Sequence, residues 1–213
     1  MKNVLVLGAA GNIAQYAEKY LGGQDDVKMT LYLRHPDKLS QEQAARGKVI
    51  KGDVLDKDLL QSALKGQDIV YANLAGSDIE QQAKTIVQAM DEASVKRLIW
   101  ISSIGIYDEV PGKFGEWNNK MLGESYLPTY AAAVKAIEQS DLDYTILRPA
   151  WLSNKDEVSY EFTRKGEPFK GTEVSRKSIG KVVADLVQKP EEYIGESLGV
   201  NKPNTDGDKP EWY

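Results

Sequence analysis

Residues 4–14 read Val4-Leu5-Val6-Leu7-Gly8-Ala9-Ala10-Gly11-Asn12-Ile13-Ala14. Four consecutive apolar residues without polar alternation predict a strand buried on both faces, as in the middle of a parallel sheet. Gly8 ends the run and permits a tight turn. After Gly11, residues 13–21 have helical composition and stop at Gly22-Gly23, a helix-termination signal. Strand, glycine turn and helix thus follow one another at the very start.

The alternation then repeats. Strands are predicted at residues 28–33, 48–51, 68–72, 97–101 and 144–147, and helices at 37–46, 56–64, 79–93 and 129–140. Such a pattern with short connections predicts an α/β fold. It implies a single doubly wound, Rossmann-like domain over residues 1–213, with a mostly parallel sheet of about six or seven strands and helices on both faces. After Pro149 the pattern loosens. A strand is expected at 158–163, an amphipathic helix at 178–188 (Ile179, Val182, Val183, Leu186, Val187), a last strand at 198–200 and an irregular tail from Asn201. Residues 150–200 are expected to complete a substrate pocket.

Composition narrows the chemistry. The 213 residues carry 27 Lys+Arg against 32 Asp+Glu, a net charge of −5, and 41% are hydrophobic. These are globular proportions, and the mild negative charge offers no field for phosphate backbones, so no nucleic-acid contact is expected. There is no cysteine and one histidine, His35, which removes disulfides, thiolate chemistry, cysteine zinc sites and histidine clusters; no metal is expected. No apolar run approaches the roughly 18 residues of a membrane span. A cytoplasmic protein with a small-molecule substrate, no membrane contact and a homodimer as one assembly state is the expectation.

The glycine turn points to a dinucleotide. A tight turn at Gly8 and the bare backbone of Gly11 allow close approach of a pyrophosphate, and the amides of Ala10, Asn12 and Ile13 stand at the positive end of the first helix. At the end of the second strand, Arg34 stands where a carboxylate would favour NAD, with Lys38 one turn on; cations there favour the 2′-phosphate of NADP. NADP(H) is therefore favoured and NAD(H) remains open. Asp53 and Val54 end the third strand, where they are expected to hold the adenine. Asn73-Leu74-Ala75-Gly76 ends the fourth, and Ser102 and Pro149 end the fifth and sixth, all on the edge where ligands of such sheets bind.

With these segments in place, the sequence resembles the atypical short-chain dehydrogenase/reductase group. More narrowly it resembles the compact NAD(P)H-binding proteins related to NmrA and to biliverdin-IXβ (flavin) reductases. The resemblance rests on Gly8 to Ile13, Gly52-Asp53-Val54, Ile101-Ser102-Ser103-Ile104-Gly105-Ile106-Tyr107 and Asp141 to Pro149. It implies a catalytic Ser, matched by Ser103 or else Ser102, and a Tyr-x-x-x-Lys pair on the following helix. Lys135 matches the Lys and would also touch the cofactor ribose. The Tyr position is Ala131, and Tyr130 is rotated about 140° from Lys135 around a helix. Tyr107 and Tyr126 are the substitutes, with Tyr107 also expected to roof the pocket.

Two functions follow from the resemblance. One is an NADPH-favouring oxidoreductase that passes hydride to a small planar acceptor, such as a flavin or quinone, stacked near Trp117, Trp151 and Leu152. The other is a non-catalytic NADP(H)-binding sensor of the NmrA type.

Overall fold

The computed structural model describes all residues, 1–213. The run that opens the sequence becomes β1 (Lys2–Leu7), and it explains the layering by itself. Val4 and Val6 point into one apolar cluster and Leu5 and Leu7 into another, on the opposite face of the sheet. A strand buried on both sides needs apolar residues at every position.

The chain continues through α1 (Asn12–Leu21), β2 (Val27–Leu33), α2 (Gln41–Ala44), β3 (Lys48–Lys51), α3 (Lys57–Leu64), β4 (Ile69–Ala72), α4 (Ile79–Glu92) and β5 (Arg97–Ile101). It then runs through α5 (Gly112–Glu138), β6 (Asp143–Pro149), β7 (Trp151–Ser153), β8 (Glu161–Arg164), β9 (Glu173–Ser175), α6 (Arg176–Gln188) and β10 (Glu196–Asn201). Eight strands form the main sheet in the order β3-β2-β1-β4-β5-β6-β10-β8. Seven run parallel, and β8 closes the edge antiparallel to β10. The fold is the expected doubly wound α/β sheet, with a strand more than expected. β7 and β9 pair separately as a two-stranded parallel ribbon.

Helices α1 and α6 cover one face. Their close approach requires Gly180, where a Cβ would lie 2.5 Å from that of Tyr16. Helices α3, α4 and α5 cover the other. Leu7 is in register with both Tyr32 and Ala72, and Ile101 with Leu147, so the carboxyl ends of β2, β1, β4, β5 and β6 form one continuous edge. The order turns at β1, with β2 on one side and β4 on the other, and at that switch point the loops diverge and leave a crevice.

Two segments differ from expectation. The helix expected over 37–46 is a 3-10 turn (Pro36–Lys38) followed by the short α2. Ser40 restarts it with a reciprocal capping box to Gln43. The segment 107–126, between the strand and helix expected at 97–101 and 129–140, is helical from Gly112, and the helix bends at Gly123, whose φ is +75°. No helix is long and apolar enough to cross a membrane.

Candidate active site

The crevice beside β1 is a cleft of about 370 Å³. Its lining includes Gly8, Ala10 and Gly11 from the glycine turn, Arg34 and Lys38 after β2, Asp53 and Val54 after β3, and Asn73, Leu74 and Ala75 after β4. Four strand ends thus meet at one groove. Gly8 has φ +79°, and a Cβ there would stand 2.2 Å from the Asn73 carbonyl oxygen, so no other residue fits. At Gly11 a Cβ would lie 2.0 Å from Asn73 Nδ2. A side chain at position 11 would have to displace the Asn73 carboxamide from the cleft wall.

The start of α1 is prepared for an anion. Its N-cap, Gly11, brings no side chain to the free amides, and the first turn contains no acidic residue. By contrast α3 is capped by Asp56 and α6 by Ser175. Unpaired amides and the positive helix end suit a diphosphate, which fits a dinucleotide. The opposite wall is equally tuned. The Tyr32 hydroxyl donates to the Asp53 carbonyl at 2.8 Å. Burial, together with Asp56 and Asp53, pushes its pKa up to about 12, so it stays a neutral donor. Gln82 reaches back from α4 to Asp78 Oδ1 at 2.7 Å and the Ala75 carbonyl at 3.3 Å, bracing the loop after β4.

A second cavity, also about 370 Å³, lies further along the edge. Ser102, Ser103, Pro149, Ala150, Trp151 and Leu152 contribute from the ends of β5, β6 and the start of β7, and Tyr126 from α5. Ser103 Oγ donates to the Ile104 carbonyl at 3.2 Å, whereas the buried Ser102 Oγ has no partner. The Trp151 indole donates to Asn118 Oδ1 at 2.9 Å, which fixes its plane. Arg176, Trp212 and Tyr213 complete the wall. A cofactor-sized groove and an aromatic chamber thus lie along the same edge of the sheet.

A family model for NAD(P)H-binding proteins matches residues 8–190. The chain belongs to the NAD(P)H-binding family. It is similar over 99% of its length to a Rossmann-fold NAD(P)-binding family protein from Shigella flexneri, at 46% identity and a TM-score of 0.86, covering 98% of that chain. It is also similar to a short-chain dehydrogenase/reductase from Veillonella parvula solved in complex with NADP, at 30% identity, with 99% of each chain covered and a TM-score of 0.92. A Bacillus subtilis protein described as an uncharacterized sugar epimerase, YhfK, is 26% identical over 97% of this chain and 95% of its own.

Within this NAD(P)H-binding chain, several residues singled out by sequence lie elsewhere. Tyr107 does not reach the second cavity. Its hydroxyl donates to Glu138 at 2.6 Å, and its ring packs between the Lys165 ammonium, 4.5 Å from the centroid, and the Arg148 guanidinium, 5.1 Å away. The cause is Glu109, which accepts the amides of Gly105 and Tyr107 and pairs with the buried Arg148, curling the loop away from the edge. Lys135 is likewise misplaced. The buried face of the second half of α5 is Tyr130, Ala133, Val134 and Ile137, and Lys135 is exposed on the other side.

The i, i+4 pair nearest the site is instead Tyr126, which lines the second cavity, and Tyr130, buried in the core behind it. Their rings stack with centroids 4.2 Å apart and an interplanar angle of 20°. Trp117 stands behind the chamber wall, packed on Trp151 at 4.7 Å and Tyr213 at 4.9 Å. Ile13 turns its side chain into the core, Asn12 is exposed at the head of α1, and Gly76 lies outside the cleft lining. No group of three or more acidic or histidine side chains gathers to hold a metal ion.

Proposed function

We propose that this protein is an NADPH-dependent reductase that delivers hydride to a small planar acceptor, a quinone or flavin ring. The observation carrying this reading is the stacked Tyr126–Tyr130 pair, of which Tyr126 lines the aromatic chamber and Tyr130 is buried behind it. In the short-chain dehydrogenase/reductase pattern, a Lys one turn after the Tyr favours the phenolate and thereby the proton chemistry of alcohols and ketones. Here that place holds a buried phenol whose pKa is raised, chiefly by burial, and which supplies no positive charge. A reaction that needs no strong acid or base from the protein suits this site. Quinones and flavins fit, because their delocalised rings hold the incoming electron pair and solvent protonates the product. The same absence counts against an epimerase, which must remove a proton or hydride from a sugar alcohol carbon.

Bound at this edge, NADPH supplies the hydride. The protein's part is placement. The glycine turn and α1 would hold the diphosphate, and Arg34 and Lys38 would meet a 2′-phosphate, which supports NADPH over NADH. Ser102 and Ser103 would flank the nicotinamide, while Trp151 and Tyr126 would offer flat faces to the acceptor ring.

The test is NADPH oxidation with menadione, riboflavin and a dye acceptor, followed by the loss of NADPH absorbance. Turnover saturating in both substrates is expected. Micromolar NADPH binding with no turnover for any acceptor would overturn the reductase reading in favour of a nucleotide sensor.

A further inference from the structure

The second cavity contains a cation that the protein does not neutralise. Arg176 opens α6 and lines the chamber with Ser102, Tyr126, Trp151 and Tyr213. One terminal nitrogen, Nη1, donates to the Leu152 carbonyl at 3.2 Å and to Asn154 Oδ1 at 2.8 Å. Both partners are neutral. Its Nε and Nη2 have no partner in the protein, and no carboxylate comes within 4.0 Å. The neighbouring cations are all matched. Lys177 pairs with Asp156 at 2.6 Å, and Lys155 with Glu173 at 2.7 Å and Glu211 at 3.4 Å.

The position is also unfavourable for the helix. A cation in the first turn opposes the helix dipole, and the first turn of α6 holds no acidic residue to offset it. The two anchoring hydrogen bonds hold the guanidinium in place while leaving its bidentate Nε–Nη2 edge free, the edge that fits a carboxylate, sulfonate or phosphate. Around it stand aromatic and apolar groups, and the buried Ser102 hydroxyl is still without a partner.

The geometry points to an anionic acceptor: a planar ring bearing a carboxylate, sulfonate or phosphate group, with the ring against Trp151 and Tyr126 and the anion on Arg176. This rests on the reductase reading of the chamber and adds the charge of the substrate to it. The cofactor's own diphosphate, lying along the same edge, is the other source of such an anion.

Two probes with the same ring separate these. Naphthoquinone sulfonate carries the anion and menadione does not. Binding is read by quenching of tryptophan fluorescence, which requires no turnover, and then by NADPH oxidation. The wild-type protein is expected to bind the sulfonate at least about tenfold more tightly than menadione. Arg176→Gln removes that preference while leaving menadione binding and the Kd for NADPH unchanged. Arg176→Lys retains part of it, and Lys177→Gln, whose charge is already matched by Asp156, retains all of it.

Equal affinity for the two probes in the wild-type protein overturns the proposal. So does a weakened NADPH Kd in Arg176→Gln, which assigns the arginine to the cofactor. Failure of turnover with both probes, with the binding preference intact, sinks the reductase reading and leaves the anion site standing.

Discussion

Tyr126 and Tyr130 lie one helical turn apart with rings stacked at 4.2 Å and an interplanar angle of 20°, and only the first of them lines the chamber. Tyr130 is the inner member, buried against α4 and the loop after β4. The pair keeps the i, i+4 geometry of a Tyr–Lys dyad and discards its charge.

Tyr126→Phe therefore has a limited cost. With menadione as acceptor, kcat/KM is expected to fall by less than about tenfold, and the NADPH Kd to stay unchanged. A loss of about a hundredfold or more, in the range of general acid catalysis, would show that the phenol donates an obligatory proton. Tyr130→Phe is the companion measurement. It alters a buried side chain stacked on Tyr126 and outside the chamber lining, so a modest loss of stability is expected with turnover largely kept.

Gly8 fixes the glycine turn. Its φ of +79° and the 2.2 Å from a built Cβ to the Asn73 carbonyl oxygen leave no room for alanine. Gly8→Ala is expected to cost about 1–3 kcal/mol from the backbone conformation alone, with the clash added, read as a lower midpoint in urea. NADPH binding should fall with it. Gly23→Ala is the control, because nothing lies within 4 Å of its Cβ position; its midpoint should hardly move.

How far the sequence reveals this molecule depends on what kind of signal each residue carries. The run Val4 to Leu7 fills both faces of one strand, so its pattern could only mean a central strand. The glycine turn and the strand ends at Asp53 and Asn73 were legible for the same reason: their chemistry and their place in the alternation coincide. Gly52 is a partial case. A Cβ there would lie 2.4 Å from the Tyr32 hydroxyl, so the glycine serves a tyrosine twenty residues earlier, which no local pattern reveals.

The first part of α5 was hidden because Gly112, Gly115 and Gly123 are poor helix formers and the apolar spacing is weak. Without that first half, residues 129–140 read as a separate helix, and the Tyr126–Tyr130 pair across its start has no local signal. β7 and β9 are three residues each, too short for any periodicity, yet β7 carries Trp151 to the chamber. Trp212 and Tyr213 reach the cavity only by long-range packing.

Glu18 gives a pH-dependent stability. It is fully buried on α1, its Oε1 has no partner, and burial pushes its pKa from 4.5 up to about 8, against a smaller opposing pull from Arg46. Between these two values the unfolded chain loses the proton and the folded chain keeps it. The native state then binds more protons, so stability falls as pH rises from about 4.5 to about 8. At pH 7 the deficit is on the order of 3 kcal/mol. Glu18→Gln removes the titration. Its melting temperature should stay nearly flat between pH 5 and pH 8, while that of the wild-type protein declines. Parallel curves for the two would show that Glu18 ionises normally in the fold.

On the proposed reading, Arg34 discriminates between the two nicotinamide cofactors. Its only ion-pair partner is Asp53, at 3.9 Å, with both side chains roughly half exposed, an arrangement worth about 0–1 kcal/mol. Asp53 is also engaged locally, accepting the Leu55 amide at 3.0 Å through its other oxygen. The guanidinium is thus held weakly at the cleft mouth and is free to turn onto a 2′-phosphate, with Lys38 in the same lining. NADH presents only a ribose hydroxyl there. Arg34→Ala is expected to weaken NADPH binding at least about tenfold, the usual scale for a charge-assisted hydrogen bond, and to leave NADH binding within about twofold. Raising the salt concentration should narrow the gap between the cofactors in the wild-type protein and leave the variant unaffected, because an exposed phosphate contact is screened. Equal losses for both cofactors on titration by fluorescence would mean that Arg34 supports the loop and does not read the phosphate.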